Sequence, residues 1–432
     1  MKVVREIRVI HDKSGFGIIH EVEVESGERF ARKTFRPMIA LTPEDHELFK
    51  RRFSREVRIQ EKLLSDYIIP IVYSDLSSDT PWFLMPIASK TYAEEINNAH
   101  LKRKIPLGLS DILNCLEYLH SRGFTHRDIK PGNILFHDDK WKLADMGLIT
   151  SDPELTTSFK TGSGYALGSQ PYMAPEQYTD FQNVDNKADI YSFGAILHDI
   201  FEKKTRKPYS KLTGSGSIGV IIEKCTEEDP ENRFDNVVIL RDVLLSTLSK
   251  VEPSKDLKDE ASHWISQVKD FSKWNNEIFD AFVTSMERNP NLKAAILYDI
   301  STEFIEQIKV VSERHWKRFL KCYLSWIENS SFNFNYCDVL IGHIKTIYDI
   351  CDDLALQSHS IFAGAELATS HNRWYCMRKV IIMGSDQISD ELAERIAIEI
   401  YARNAKRIFT RCAEGINSNI SIYHDEIENA LK

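Results

Sequence analysis

Apolar positions up to about Pro37 alternate with polar ones instead of recurring at helical steps. The runs "EIRVIHD", "GIIHEVEVES" and "GERFARKTF" are alternating or β-branched and are broken by Gly15, Gly17, Ser26 and Gly27, which predicts three strands before about Pro37. Thr42, Pro43 and Asp45 then supply an N-cap, a first-turn proline and a short capping box, so a charged helix is expected over about 43–64. "YIIPIVYSD" and "PWFLMPIAS" read as two further strands. From Tyr92 to about Ser249 helical periods dominate, interrupted by a loop-rich stretch between Asp145 and Pro175. The polar, charged segment 250–262, "KVEPSKDLKDEAS", reads as a linker. Past it, Phe304, Ile308, Val311, His315, Phe319, Cys322 and Trp326 recur at steps of three and four, as do Tyr336, Leu340, Ile344, Ile347, Cys351 and Leu354. Long amphipathic helices with a core of their own follow from that pattern, arranged as a bundle or an irregular solenoid because no repeat period is evident.

A chain of 432 residues exceeds one ordinary core, which argues for two or three domains. With 42% hydrophobic and 28% charged residues the composition is that of a soluble globular protein. The net charge of −9 argues against a nucleic-acid coat or a binder of anionic membranes, so neither partner is expected. The N-terminal stretch lacks the apolar core of a secretory signal, and no run approaches the roughly 20 apolar residues of a bilayer span. Seven scattered cysteines, with no C-x-x-C pair, argue against a disulfide framework or zinc site and point to a reducing cytoplasm. Cys337, His343 and Cys351 lack a tight ligand pair and read as helix residues, not a metal site.

The chemistry lies in "THRDIKPGNILF" (Thr125 to Phe136) and "KLADMGL" (Lys142 to Leu148). His126-Arg127-Asp128, Asn133 five residues after the aspartate, Asp145-Met146-Gly147, Ala174-Pro175-Glu176, Asp189 in "KADIYSFG" and Arg233 in "CTEEDPENRF" follow one another in order. Over residues 5 to 250 these motifs resemble the eukaryotic-like serine/threonine protein kinases, in sequence and in spacing. The resemblance implies an α+β two-lobed protein kinase fold, followed here by an all-α C-terminal domain. An antiparallel small lobe is expected over about 1–88 and a mainly α large lobe over about 89–249; the linker is 250–262 and the helical domain 263–432. It further implies that Asp128 orients the attacking hydroxyl, Lys130 meets the γ-phosphate, and Asn133 and Asp145 hold Mg²⁺ (or Mn²⁺) through hard oxygens.

On the N-terminal side, "FARKTF" aligns Lys33 with the lysine that grips the α- and β-phosphates of ATP, and Glu56 in "RRFSREVRIQEKL" with its glutamate partner. The phosphate loop would comprise Ser14, Gly15, Phe16, Gly17 and Ile19. Asp12 and Ser14 stand where the family places its first two glycines, which implies a weaker grip on the β- and γ-phosphates. Ala31, Met85, Pro86, Ala88 and Leu135 complete the expected nucleotide pocket, with Met85 at its back and Pro86-Ile87-Ala88 as the hinge. Gln60, one turn past Glu56, replaces an apolar residue of the family, and with Met146 implies a less firmly held helix. In the activation segment Thr161 and Ser163, just before Tyr165, best match the family's phosphosite, and Ser169 resembles the substrate-facing residue. The resulting expectation is a cytoplasmic serine/threonine protein kinase acting on protein substrates. Residues 1–250 would carry the catalysis, and the helical domain would bind a protein partner. The alternative is a pseudokinase scaffold that binds nucleotide and recruits partners through that domain.

Overall fold

Three consecutive alternating runs build β1 (Val3–Ser14), β2 (Gly17–Val24) and β3 (Arg29–Phe35), an antiparallel meander. This computed structural model describes residues 2–14, 17–37, 41–146, 170–179, 183–202, 205–249, 257–312 and 315–432. β4 (Tyr73–Asp75) and β5 (Trp82–Met85) complete a five-stranded sheet of order β1-β2-β3-β5-β4. The period of two sorts its side chains. Val22, Val24 and Leu84 cluster on one face, and Ala31, Phe35, Phe83 and Met85 on the other. Lys33 shares the strand face of Ala31 and Phe35, and in register it lies opposite Phe83 on β5 and Ile19 on β2.

Helix α1 (Pro43–Gln60) covers this second face with Phe53 and Val57, one turn apart. Thr42 caps it, its side chain accepting from the Asp45 N–H at 3.1 Å. The helix stops at Gln60, short of the expected 64, because the Lys62 and Leu63 N–H groups turn back onto Ile59 and Gln60 at 3.0 and 3.1 Å. The run from Tyr67 to Asp75 also differs from expectation. Only Tyr73–Asp75 joins the sheet, since Pro70 has no N–H to donate to a ladder. Ile68 instead bridges Leu143, and Ile69 donates to the Leu143 carbonyl at 2.9 Å.

The remainder of this unit is mainly helical: α2 (Tyr92–Leu101), α3 (Leu109–His120), α4 (Pro175–Thr179), α5 (Lys187–Phe201), α6 (Gly216–Cys225) and α7 (Val237–Ser249). Short strands β6 (Lys90–Thr91), β7 (Ile134–His137) and β8 (Lys140–Leu143) form a second antiparallel sheet in that order. α3 and α5 are buried along most of their length, polar residues such as Ser110, Asn114 and Asp189 included. Gly108, at φ +95°, starts α3 where a Cβ would lie 2.1 Å from the Trp141 ring, so only glycine fits.

Residues 1–240 and 241–432 form two compact units, and the division falls inside α7. The described residues of the second unit form helices and no strand: α8 (Lys258–Val268), α9 (Asn276–Arg288), α10 (Pro290–Leu297), α11 (Thr302–Val311), α12 (Trp316–Glu328), α13 (Cys337–Ile350), α14 (Leu354–Ser370), α15 (Trp374–Met383), α16 (Asp390–Ala402), α17 (Lys406–Glu414) and α18 (Asp425–Leu431). The apolar stripe from Phe304 to Trp326 is thus split between α11 and α12. α14 packs against α12, α13, α15, α16 and α17, and its Gly364 lets Ile341, Val380 and Met383 approach closely. Asp338 and Arg373 form a buried ion pair, with Arg373 Nε at 2.8 Å from Oδ1. His343 is engaged by the Tyr323 hydroxyl at 2.7 Å, and among the described residues no Cys/His/Asp/Glu group is arranged to hold a metal ion. No helix of the described residues is long and apolar enough to cross a membrane. Residues 250–256 of the expected linker lie outside the described residues, and 258–262 form the first turns of α8.

Candidate active site

The site is organised by a buried anion. Asp189, in the first turn of α5, is wholly buried and accepts from the backbone N–H groups of His126 and Arg127, both at 2.8 Å. His120 Nε2, at the end of α3, lies 2.9 Å from the same carboxylate. Burial pushes the Asp189 carboxyl up, but the bonds from His120 and the field of His126 outweigh it and hold the pKa below the ordinary carboxylate range. Asp189 thereby fixes the loop before Asp128 in a strained form, with Arg127 at φ 65°. Gln177 Nε2 donates to the Arg127 carbonyl at 2.8 Å and its Oε1 accepts from Ala174 N at 3.0 Å, tying in the Ala174-Pro175-Glu176 segment. Glu176 is held bidentately by the buried Arg233, at 2.6 and 2.8 Å.

On this base Asp128, Lys130, Asn133 and Asp145 come together. Lys130 Nζ donates to Asp128 Oδ2 at 2.9 Å, and Asn133 Nδ2 donates to the same oxygen and to the Asp128 carbonyl, each at 2.9 Å. With its nitrogen committed, Asn133 keeps Oδ1 as an oxygen donor. The Ala144 N–H donates to the Asn133 carbonyl at 2.8 Å, which links this loop to β8 and to Asp145. Asp145, at φ 61°, receives Lys33 Nζ at 2.6 Å. Burial raises the Asp145 carboxyl, but Lys33 overrides it and brings the pKa down to about 2, so this group is an anion at neutral pH.

The expected pair between Lys33 and Glu56 is not formed. Among the described residues Lys33 is ion-paired with Asp145, and Glu56 with Arg52, Nε to Oε1 at 3.2 Å. The reason is local: Arg52 and Glu56 are one helical turn apart, and a pair at that spacing forms without any cross-domain register. Glu56 still acts on Lys33 through space. Burial pushes the ammonium down, while Asp145 and Glu56 outweigh it and leave its pKa above the usual value. Burial raises the Glu56 carboxyl against the pull of Arg52 and Lys33.

Beside these charges lies a group of apolar side chains. Ala31, Met85 and Ala144 belong to one buried cluster, against which Ile19, Ile87 and Leu135 pack half-buried. Pro86 and Ala88, next in the chain, are half-buried as well. Gly17 backs onto the lysine: a Cβ there would lie 3.2 Å from the Thr34 carbonyl and 3.3 Å from Lys33 Cε. Ser14 pairs with Gly17 across β1 and β2; Gly15 and Phe16, which would complete the loop, lie outside the described residues. So do Gly147 and the activation-segment positions Thr161, Ser163, Tyr165 and Ser169. Gln60 is buried and donates from Nε2 to the Ile69 carbonyl at 2.7 Å. Sequence reasoning missed His120, Gln177 and Arg52. Of these only Arg52 carried a signal, its i,i+4 spacing to Glu56.

Comparison with known proteins places this geometry in context. Residues 14–266 match the model of the protein kinase domain. The serine/threonine-protein kinase AfsK of Streptomyces coelicolor is 30% identical over 189 residues, covering 42% of this chain and 22% of that protein. Serine/threonine-protein kinase D of Synechocystis is 26% identical over 269 residues, covering 56% of this chain and 52% of that protein. This chain therefore spans about half or less of those relatives' length. The solved kinase domain of PknI from Mycobacterium tuberculosis shares 20% identity and a TM-score of 0.39, over 55% of this chain and 93% of that one. The family match takes in Lys33, Asp128, Asn133, Asp145, Glu176 and Arg233 and more than half of the sequence, and the chain belongs to the protein kinase domain family.

Proposed function

We propose that the chain is a serine/threonine protein kinase that transfers the γ-phosphate of ATP to protein hydroxyls. The observation that carries this reading is the gathering of Lys33, Asp128, Lys130, Asn133 and Asp145 beside an apolar cluster that includes Ile19, Ala31, Met85 and Leu135. These apolar residues take the adenine, with the backbone of Ala88 and the Pro86 carbonyl as its polar contacts. Lys33 neutralises the α- and β-phosphates. Asp145 and the Asn133 Oδ1 are hard oxygen donors of the kind that suits Mg²⁺ or Mn²⁺. That ion, when bound, offsets the charge of the phosphate oxygens during transfer. Asp128 orients the acceptor hydroxyl and takes its proton, and Lys130, already 2.9 Å from Asp128, meets the γ-phosphate. Incubating the full chain with Mg-ATP and mapping phosphosites by mass spectrometry tests the proposal; phosphotyrosine alone, or no transfer to any acceptor, would sink it. The second reading, a nucleotide-binding scaffold, draws on the engagement of Glu56 by Arg52 and is the one that a complete lack of transfer would select.

Two regulatory expectations accompany this function. Asp12 is exposed, on the strand leading into the phosphate loop. Its repulsion of polyphosphate is worth about 1 kcal/mol after screening, so Asp12→Gly with Ser14→Gly is expected to tighten ATP binding roughly fivefold by calorimetry. Unchanged binding would mean that the loop does not approach the phosphates. We also infer that phosphorylation between Thr156 and Ser169 raises activity. Supporting it, burial pushes the Arg127 guanidinium down in pKa while Asp189 raises it, and Arg52 adds a like charge nearby, a setting that a phosphate would relieve. Alanine at Thr156, Thr157, Ser158, Thr161 and Ser163 together should cut turnover; full activity in that variant would rule the mechanism out. The helical unit is proposed to recruit a protein partner. A cytoplasmic setting accords with cysteines that are all free.

A further inference from the structure

Gln60 is a buried polar residue in the last turn of α1, the helix that carries Glu56, and its side-chain amide has a specific target. Nε2 donates to the Ile69 carbonyl at 2.7 Å. Ile69 in turn donates its N–H to the Leu143 carbonyl at 2.9 Å, Leu143 donates to the Tyr67 carbonyl at 2.9 Å, and Ile68 bridges Leu143 in parallel register. Leu143 ends β8, two residues before Asp145. The buried cluster of Phe53, Val57, Ile69 and Ala144 surrounds this path, so the amide has little water to fall back on. A leucine at position 60 would pack in such a place but would make no directed bond.

We propose that Gln60 is a positioning residue for Asp145: its hydrogen bond to Ile69 ties α1 to the strand pairing that sets where the Asp145 carboxylate sits. The proposal rests on the reading of Asp145 as the metal-binding carboxylate. α1 and β8 are then braced through one short polar link, and displacement of the helix end is passed to the metal ligand through two backbone hydrogen bonds. Outer partners that orient a metal ligand are commonly worth tenfold or more in metal affinity or activity.

The test uses the full chain, Mg-ATP and dephosphorylated casein as acceptor, with melting midpoints recorded at each pH. Gln60→Leu is expected to lower kcat about tenfold and to raise the Mg²⁺ concentration for half-maximal turnover by a similar factor, with the KM for ATP at saturating metal changed less than about twofold. Gln60→Glu can donate to Ile69 only while protonated, and burial raises the pKa of that carboxyl. Its turnover relative to the unchanged protein should therefore be near normal at about pH 6 and fall steeply towards about pH 8.5. Asp145→Asn is run alongside. If that control keeps normal turnover, the metal-ligand reading fails and the proposal fails with it. If the control is inactive while both Gln60 variants match the unchanged protein, or Gln60→Glu is equally impaired at every pH, the positioning role alone is overturned. Variants that melt below the assay temperature throughout would also overturn it, leaving Gln60 as a residue of the fold only.

Discussion

Asp145→Asn and Asp128→Asn should each lower phosphate transfer by at least two to three powers of ten while leaving the protein folded. Each exchange removes a charge and one oxygen donor but keeps the side-chain shape. Asparagine, like aspartate, tolerates the left-handed φ of 61° at position 145 better than most other non-glycine residues. The charge left without its pair is that of Lys33, whose side chain is 11% exposed, and Glu56 and Asp128 remain nearby as carboxylates acting on it. Asp145 has a folded pKa of about 2 against an ordinary 3.8. The stability from its ionised form is therefore in place above pH 3.8 and lost only as the pH falls towards 2. A comparison at neutral pH reads the removal of charge and not a titration. Transfer by radiolabelled ATP and the melting midpoint are the measurements. Near-normal turnover in either variant would strip these residues of their roles, whereas a collapsed midpoint would recast them as structural. Asp189, wholly buried under two backbone N–H groups and His120, is where the structural outcome is expected.

A fragment ending at Ser249 is expected to be poorly soluble, although the sequence places the end of the catalytic domain there. The division between compact units falls after Leu240, inside α7. Beyond it, Arg241 donates to the Tyr375 hydroxyl at 2.9 Å, and Asp242 accepts from the Thr302 hydroxyl at 2.7 Å and faces His343. Leu244 and Leu245 are buried as well. Cutting at 249 keeps these residues and removes their polar partners. Exposing the two leucines alone costs about 3–6 kcal/mol, a large share of a typical domain's stability. Soluble yield and melting midpoint of the fragment against the full chain decide the matter. A soluble fragment with a midpoint like that of the full chain would refute the expectation and make the first 249 residues self-sufficient. Loss of solubility would show that the helical unit has a structural role in addition to the partner recruitment proposed for it.

Much of the site was legible because its residue types are dictated by charge-handling chemistry and stand at fixed spacings in one short stretch. Asp128, Lys130 and Asn133 lie within six residues, so a tight loop suffices to bring them together. Ala31 and Met85 were legible as pocket residues only through the resemblance to the kinases, and the structure sets them opposite each other on neighbouring strands. The Lys33–Glu56 pair was not a safe inference, because each residue has a competing partner. Arg52 is one helical turn from Glu56, and Asp145 approaches from just past the end of β8, more than a hundred residues away.

The sequence by itself determined the element types, the protein kinase motifs and their order, and the all-helical character of the C-terminal half, since periodicity and local chemistry are properties of neighbouring residues. Only the tertiary structure decided which carboxylate meets Lys33, what the buried Gln60 amide bonds to, and where the first unit ends. Those outcomes depend on competition between partners far apart in the chain. A buried charge or amide takes whichever partner the packed backbone brings within about 3 Å, and no spacing rule carries that information.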